Sequence, residues 1–324
     1  MIEIEEGGIA TTIQDLGRTG HYHIGMPPSG AMDRYAHTVA NYLVGNDADA
    51  ATVEMTYQGI TATFREDAVI AITGADMSPR VNGDPIETWR SVAVEAGDEL
   101  ALSFATEGAR AYLAVAGGID VPKVMGSGST YTLVGIGGHE GRALEAGDEL
   151  SIGESNDGDE LVGTRVGDEY VPTYADEETV RIVLGLTDYR LTEAAKETLC
   201  NAEWTVSSEA DRVGYRLEGP DLEFEEREQP FGAGTDPSNV VDLGYPIGSI
   251  QVPNQPIVLM QDAVTGGGYA TVGTVISADR GLLAQRQTHD SVYFEAVDVD
   301  DAHAAREERN ERLEAVRAAI DGGI

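Results

Sequence analysis

Three stretches of this chain combine glycines, hydroxyls and charged side chains at close spacing. The first joins Gln14-Asp15-Leu16-Gly17-Arg18 to Ser29-Gly30-Ala31-Met32-Asp33-Arg34, with Glu54 further on. The second is Gly126-Ser127-Gly128-Ser129-Thr130-Tyr131 followed by Gly137-Gly138-His139-Glu140-Gly141-Arg142. The third is Gly248-Ser249-Ile250-Gln251-Val252-Pro253 followed by Gln261-Asp262 and Thr265-Gly266-Gly267-Gly268-Tyr269. Glycines let backbone N–H groups approach a ligand, and hydroxyls and single charges beside them suit a carboxylate, amide or carbonyl group. The same residues also have a purely structural reading. Asp15 with Arg18, or Asp33 with Arg34, would then be ion pairs that pin loops. Ser29 would cap the helix that follows it, and the glycines would supply turns.

Other chemistries find no support. Neither lysine, Lys123 or Lys196, follows a glycine, so there is no GxxxxGK[ST] phosphate loop. No complete GxGxxG follows a strand, and HExxH and cysteine-rich zinc patterns are missing. His21 and His23 stand two apart, on one face if they lie on a strand, but without a third ligand they read as surface histidines, and no metal site is expected. The one cysteine, Cys200, lies in a helical pattern and reads as packing.

The elements that must hold these clusters are mostly short strands. Residues 68–74, 91–97, 99–105 and 109–118 are apolar or alternating runs bounded by Gly, Asp and Asn. Val81-Asn82-Gly83-Asp84 carries the signal of a tight hairpin. The phrase EAGDEL at 95–100 and 145–150 predicts one hairpin used twice. Helical spacing of Met32, Ala36, Val39 and Leu43, ended by Gly45-Asn46, predicts a helix. Others are expected over 192–200, near 279–285 and over 302–320, the last stopped by Asp321-Gly322-Gly323. A weak boundary lies at 153–178. The domains expected are 1–165, 175–300 and a C-terminal helix at 301–324.

Charge is the unusual feature of the composition. Fifty-seven acidic residues oppose 21 basic ones, a formal net charge of −36. Such a field repels nucleic acid and anionic membrane. It fits either a cationic partner or, better given its even spread and the near absence of lysine, adaptation to high salt. Neither a signal peptide nor an apolar run of membrane-spanning length is evident, so a cytoplasmic location is expected.

The blocks TTIQDLGRTG, PPSGAMDRYAHTVANYLVGN, AGGIDVP, MGSGSTY, GGHEGRALEAGD, RVGYRLEGP, GSIQVP and TGGGYATVGTVISAD occur in the order of one family and run from about residue 8 to about 298. The chain resembles the biotin-dependent carboxyltransferase-like family, which includes the 5-oxoprolinase C subunit (also described as a Kip inhibitor antagonist) and allophanate hydrolase subunit 2. That resemblance implies a mainly β fold of two cyclophilin-like β-barrel domains with a few short helices. It implies one component of an ATP-dependent 5-oxoprolinase, working with homologues of the B subunit (Kip-inhibitor-like) and the A subunit on a small amide. The alternatives are a carboxyltransferase acting on urea or a similar amide, and a non-catalytic regulator of a Kip-inhibitor-like partner. Catalytic roles fall on Asp15, Arg18, Asp33, Arg34, Glu54 and Asp262. Substrate binding falls on Ser29, Ser129, Tyr131, Arg142, Gln251, Thr265 and Tyr269. No covalent cofactor is expected, because neither lysine sits in a biotin-acceptor context; biotin would ride on a separate carrier and ATP would be handled by a partner. The sequence departs from the family at 265–270, where Gly-Gly-Tyr-Pro is commoner, at 231–247, and in a shorter loop after Pro253.

Overall fold

A computed structural model describes residues 1–322 except 156, 157 and 229. Part of the expected 153–178 boundary, and Gly323 in the expected helix stop, therefore lie outside the described residues. The chain divides into two compact units. The first comprises Met1–Arg18, Ser29–Tyr174 and Asn310–Ile324; the second comprises Thr19–Pro28 and Ala175–Arg309.

The first unit is built on two antiparallel sheets of seven and five strands. Alternation along the strands builds two layers from one sheet. On Glu107–Val115, Ala111, Leu113 and Val115 enter the core between the sheets, while Tyr112 and Ala114 face the other way. Thr52–Thr56 behaves likewise: Val53 and Met55 point into that core, leaving Thr52 and Glu54 for the opposite face. Helix α1 (Arg34–Leu43) packs there through Ala36, Val39, Ala40 and Leu43, all fully buried. Ala36, Val39 and Leu43 of the apolar stripe read from the sequence thus lie on the packed face of α1, whereas Met32, its first member, precedes the Asp33 cap and is outside the helix. Val316 and Ile320, near the end of the last helix, join the same cluster.

Turn chemistry decides several connections. Arg80–Val81 pairs with Asp84–Pro85 across Asn82-Gly83, whose φ angles of 52° and 86° are those of a two-residue hairpin loop. The repeated EAGDEL makes the same turn twice. Asp98 accepts from the N–H of Glu95 and Asp148 from that of Glu145, each at 2.8 Å. Neither copy is a hairpin, however. The second enters Glu149–Ile152 with no strand in the residues just before it. The first joins Ser91–Val94 of the five-stranded sheet to Glu99–Ala101 of the seven-stranded one, so the expected pairing gives way to a crossover between sheets.

The second unit contains a closed seven-stranded barrel. Glu177–Leu184 closes it, running parallel to Ser291–Ala296 and antiparallel to Thr271–Val275. Two further helices belong here: α2 (Glu193–Asn201), capped by Thr192, whose hydroxyl accepts from Ala195 N–H at 3.1 Å, and the short α3 (Arg280–Ala284). Helix α4 (Val299–Asp321) ends the described chain. The mainly β, barrel-containing class with few helices is the observed one. His21 and His23 flank and occupy a 3-10 turn at Tyr22–Ile24 rather than a strand; His23 is exposed and His21 half-buried.

Candidate functional site

The first and second clusters meet within the first unit. Asp15 is buried beneath the loop at 127–129 and receives four hydrogen bonds. Its Oδ1 accepts from Gly17 N–H at 2.7 Å, Ser127 Oγ at 2.6 Å and Ser129 Oγ at 2.5 Å, and its Oδ2 accepts from Gly128 N–H at 2.6 Å. Burial raises the carboxyl pKa, but the two hydroxyls and two amides outweigh it and hold Asp15 below the usual range. A carboxylate so engaged organises a loop. Arg18, also buried, donates to the carbonyls of Val124 and Ser129. This crossing needs glycine. A Cβ on Gly137, at φ +70°, would strike the Ser129 carbonyl oxygen, and one on Gly30, at φ +89°, would lie 2.8 Å from Gly17 N.

A second buried network sits under the start of α1. Glu54 and Tyr112 are register partners on adjacent strands. The Tyr112 hydroxyl donates to Glu54 Oε2 at 2.8 Å and accepts the Asp33 N–H at 2.7 Å, while Met32 N–H donates to the same Glu54 oxygen at 2.9 Å. Burial, then the Glu54 and Asp33 charges, push Tyr112 well above the usual phenol range, so it stays protonated as the donor. Asp33 is the N-cap of α1: its Oδ1 accepts from Tyr35 and Ala36 N–H, both at 3.1 Å, and its Oδ2 from the Tyr174 hydroxyl at 3.2 Å. The cap is therefore Asp33 and not Ser29. Arg34, the first helical residue, is exposed and donates to the Leu16 carbonyl at 2.8 Å.

Ser29 stands apart from these satisfied groups. It is 1% exposed, adopts φ +53°, and its hydroxyl has no hydrogen-bond partner. A serine in the left-handed region with an unpaired buried hydroxyl is costly on both counts.

The remaining predicted residues of the second cluster are structural in their contacts. Ser129 serves Asp15. Tyr131 is buried and bridges to Ile136 through the backbone. Arg142 grips Asp148 bidentately, both contacts at 2.7 Å, and also reaches Glu140.

The third cluster lies in the second unit. Asp262 is buried and paired with Arg212, Nε to Oδ2 at 2.8 Å. Tyr245 holds Tyr269 at both backbone groups, accepting its N–H at 2.6 Å and donating to its carbonyl at 3.1 Å, while the Tyr269 ring is 43% exposed. Thr265 offers its carbonyl to Tyr245 N–H at 2.9 Å. Gln251 pairs in register with Thr271. The Gln251 Nε2 and Thr271 Oγ1 atoms are both buried and carry no partner. Among the described residues no group of three or more His, Cys, Asp and Glu is placed to hold a metal, and no helix is long and apolar enough to cross a membrane.

Sequence reasoning missed Tyr112, Tyr174, Ser127, Arg212 and Thr271. Ser127 lay inside a quoted cluster, and Arg212 and Thr271 inside the blocks RVGYRLEGP and TGGGYATVGTVISAD, so these could have been found; Tyr112 and Tyr174 are recognised only through partners distant in sequence.

A family model for the carboxyltransferase domain, subdomain A and B, matches residues 24–296. The chain belongs to this carboxyltransferase family. Among similar proteins, the 5-oxoprolinase C subunit of Escherichia coli (strain K12) is 38% identical over 317 residues, covering 97% of each chain. Urea amidolyase of Saccharomyces cerevisiae is 34% identical over 318 residues, which are 95% of this chain and 17% of that protein. The crystal structure of the K. lactis urea amidolyase matches with a TM-score of 0.91 at 30% identity, over 97% of this chain and 20% of that one. For a carboxyltransferase-family chain, the three clusters offer two kinds of group. Asp15, Asp33, Glu54 and Asp262 are engaged by protein donors, and Arg142 by the Asp148 and Glu140 carboxylates. Ser29 Oγ, Gln251 Nε2 and Thr271 Oγ1 are buried without a hydrogen-bond partner, and Arg34 and Tyr269 are exposed.

Proposed function

We propose that this chain is the C subunit of an ATP-dependent 5-oxoprolinase complex that hydrolyses 5-oxo-L-proline to L-glutamate. The observation that carries it is the end-to-end match with a stand-alone 5-oxoprolinase C subunit, over 97% of both chains, against 17% of a urea amidolyase. In the reaction the γ-phosphoryl of ATP activates the lactam oxygen and water attacks the ring carbonyl carbon. ADP is released on phosphoryl transfer; the C–N bond then breaks, the nitrogen takes up a proton as the glutamate amine, and the γ-carboxyl phosphate that remains is cleaved by a second water to L-glutamate and phosphate, so one ATP and two waters are consumed. The nucleotide is assigned to a partner, in keeping with the missing phosphate loop. This chain contributes donors for a polarised amide from its first unit: the Arg34 guanidinium and the Ser29 hydroxyl. Preorganised donors aimed at an oxygen that gains charge stabilise the transition state more than the ground state.

The test is glutamate formation and ATP hydrolysis driven by 5-oxoproline, in about molar potassium chloride, with both partner proteins and with or without this chain. Turnover that vanishes on omission supports the assignment. An assembled complex without turnover overturns it. The second reading, a carboxyltransferase acting on urea or a similar amide with biotin on a separate carrier, is supported by the TM-score of 0.91 to the K. lactis urea amidolyase. It predicts carboxyl transfer from carboxybiotin instead.

A further inference from the structure

A groove of about 600 Å³ in the first unit is lined by apolar Val121, Pro122, Val124 and Ile136 and by the carboxylates of Asp120, Glu140 and Glu149. No lysine or arginine lines it. Lys123 lines a neighbouring cavity instead, and the Arg142 guanidinium is taken by Asp148 and Glu140. Asp120 and Glu149 are exposed, and their side chains make no hydrogen bond or ion pair among the described residues. Two turns are rooted on this groove. Val124 N–H donates to the Ser127 carbonyl across Met125-Gly126, and Tyr131 N–H donates to the Ile136 carbonyl across 132–135, both at 2.8 Å. Their tips carry Met125, Leu133 and Val134, which are 43%, 69% and 52% exposed.

Turn tips favour Gly, Asn, Asp and Ser. Three large apolar side chains on two turns of one groove are an exception in a chain with 57 acidic residues, and grouped exposed apolar side chains mark interaction sites. The backbone beneath them is fixed at some cost. Met125 takes φ +54° and Glu140 φ +55°, both in the left-handed region that side chains avoid. The buried Arg18 donates to the Val124 carbonyl, at the root of the first turn, and to that of Ser129, between the two turns. Asp15 binds Ser127, Gly128 and Ser129 in the same stretch. The second turn lies so close on the loop after it that a Cβ on Gly141, at φ +71°, would come 2.1 Å from the Gly135 carbonyl carbon. The buried charges of the first two clusters thus hold apolar tips in place. Groups held in advance lose less entropy when a partner covers them.

We propose that the two turns and their groove dock a segment of a partner protein, whose apolar side chains cover Met125, Leu133 and Val134 and whose lysines or arginines meet Asp120 and Glu149. Charge complementarity selects this occupant. A second copy of the chain would bring the same carboxylates and a further net charge of −36, whereas a basic segment finds two carboxylates with no competing cation. The apolar tips supply the place, because carboxylates are spread over the whole chain and alone would favour no one site. The inference rests on the reading of the chain as one component of a complex.

The test is the Kd of the intact chain for each of its two candidate partner proteins, the A and B subunit homologues, measured by titration calorimetry at two potassium chloride concentrations. Leu133→Ser/Val134→Ser changes only exposed side chains, so its melting temperature should match the parent's. It is expected to bind one partner about tenfold more weakly or worse at both concentrations. Asp120→Lys/Glu149→Lys is expected to weaken the same complex, and more so in the lower salt. Unchanged affinity in either variant overturns the proposal, as does a parent chain that binds neither partner. Self-association of the parent, seen by sedimentation and lost in Leu133→Ser/Val134→Ser while partner affinity stays the same, would assign the tips to a second copy and also overturn it. Complexes that assemble through the tips without 5-oxoproline turnover would uphold the surface and defeat the oxoprolinase assignment; turnover with assembly insensitive to both variants would do the reverse.

Discussion

Tyr112 and Glu54 face each other across adjacent strands, and the Tyr112 hydroxyl donates to Glu54 Oε2 while accepting the Asp33 N–H. One phenol thereby ties the sheet to the cap of α1. Tyr112→Phe leaves a buried carboxylate oxygen and a buried N–H each short of a partner. The expected loss is about 1–3 kcal/mol, read from denaturant unfolding. A loss below the measurement error would show that the network does not hold the helix.

Ser29→Ala is expected to act in the opposite sense. It removes a buried hydroxyl that has no partner, so the folded chain should be unchanged or more stable by about 1 kcal/mol. If that hydroxyl is kept for substrate, turnover of the complex falls although the melting temperature does not. Equal turnover in Ser29→Ala and the parent would return Ser29 to a structural role.

His37 sets a pH dependence of stability. It is fully buried, contacts Thr52 Oγ1 at 3.0 Å, and burial lowers its pKa from 6.5 to about 4 against the opposing pull of Asp15 and Glu54. Below pH 6.5 the unfolded chain takes up a proton that the folded chain refuses. Stability should therefore decline from about pH 6.5 to about pH 4, by about 3 kcal/mol from this group. His37→Gln should flatten that limb of a stability-versus-pH curve.

Asp148 governs a lower window. Arg142 holds its carboxyl down to about 2, from an ordinary 3.8. A depressed carboxyl pKa gives stability that is present above the unfolded value and lost as pH falls through the folded one. The loss belongs between about pH 4 and pH 2. In Arg142→Ala the acid limb due to Asp148 should shrink, and an unchanged limb would assign it to other carboxylates such as Asp15.

Salt should matter as much as pH. A net charge of −36 on one chain repels itself, and ions screen that repulsion. The melting temperature is expected to fall as potassium chloride is diluted from molar to about 0.1 M. A protein equally stable at both would sink the salt-adaptation reading and favour a cationic partner as the reason for the charge.

The sequence alone determined what depends on neighbours along the chain. Helical spacing from Ala36 to Leu43 laid one face of α1 on the sheet, and Asn82-Gly83 made its hairpin because its conformation is set by two adjacent residues. Alternation on 109–118 was legible as a strand, and so was the mainly β class. What each polar residue does was decided by tertiary structure. Asp15 reads like a base until Ser127 and Ser129, 112 and 114 residues away, arrive as donors. Asp262 reads likewise until Arg212, 50 residues upstream, takes it, and Glu54 finds Tyr112 58 residues on. The physical reason is register. A strand's own pattern fixes which side chains share a face, but the opposing residue depends on which distant strand pairs with it and at what offset. That choice is made by the whole core at once, and it separates the engaged carboxylates from Ser29, Gln251 and Thr271, whose polar atoms the fold leaves unpaired.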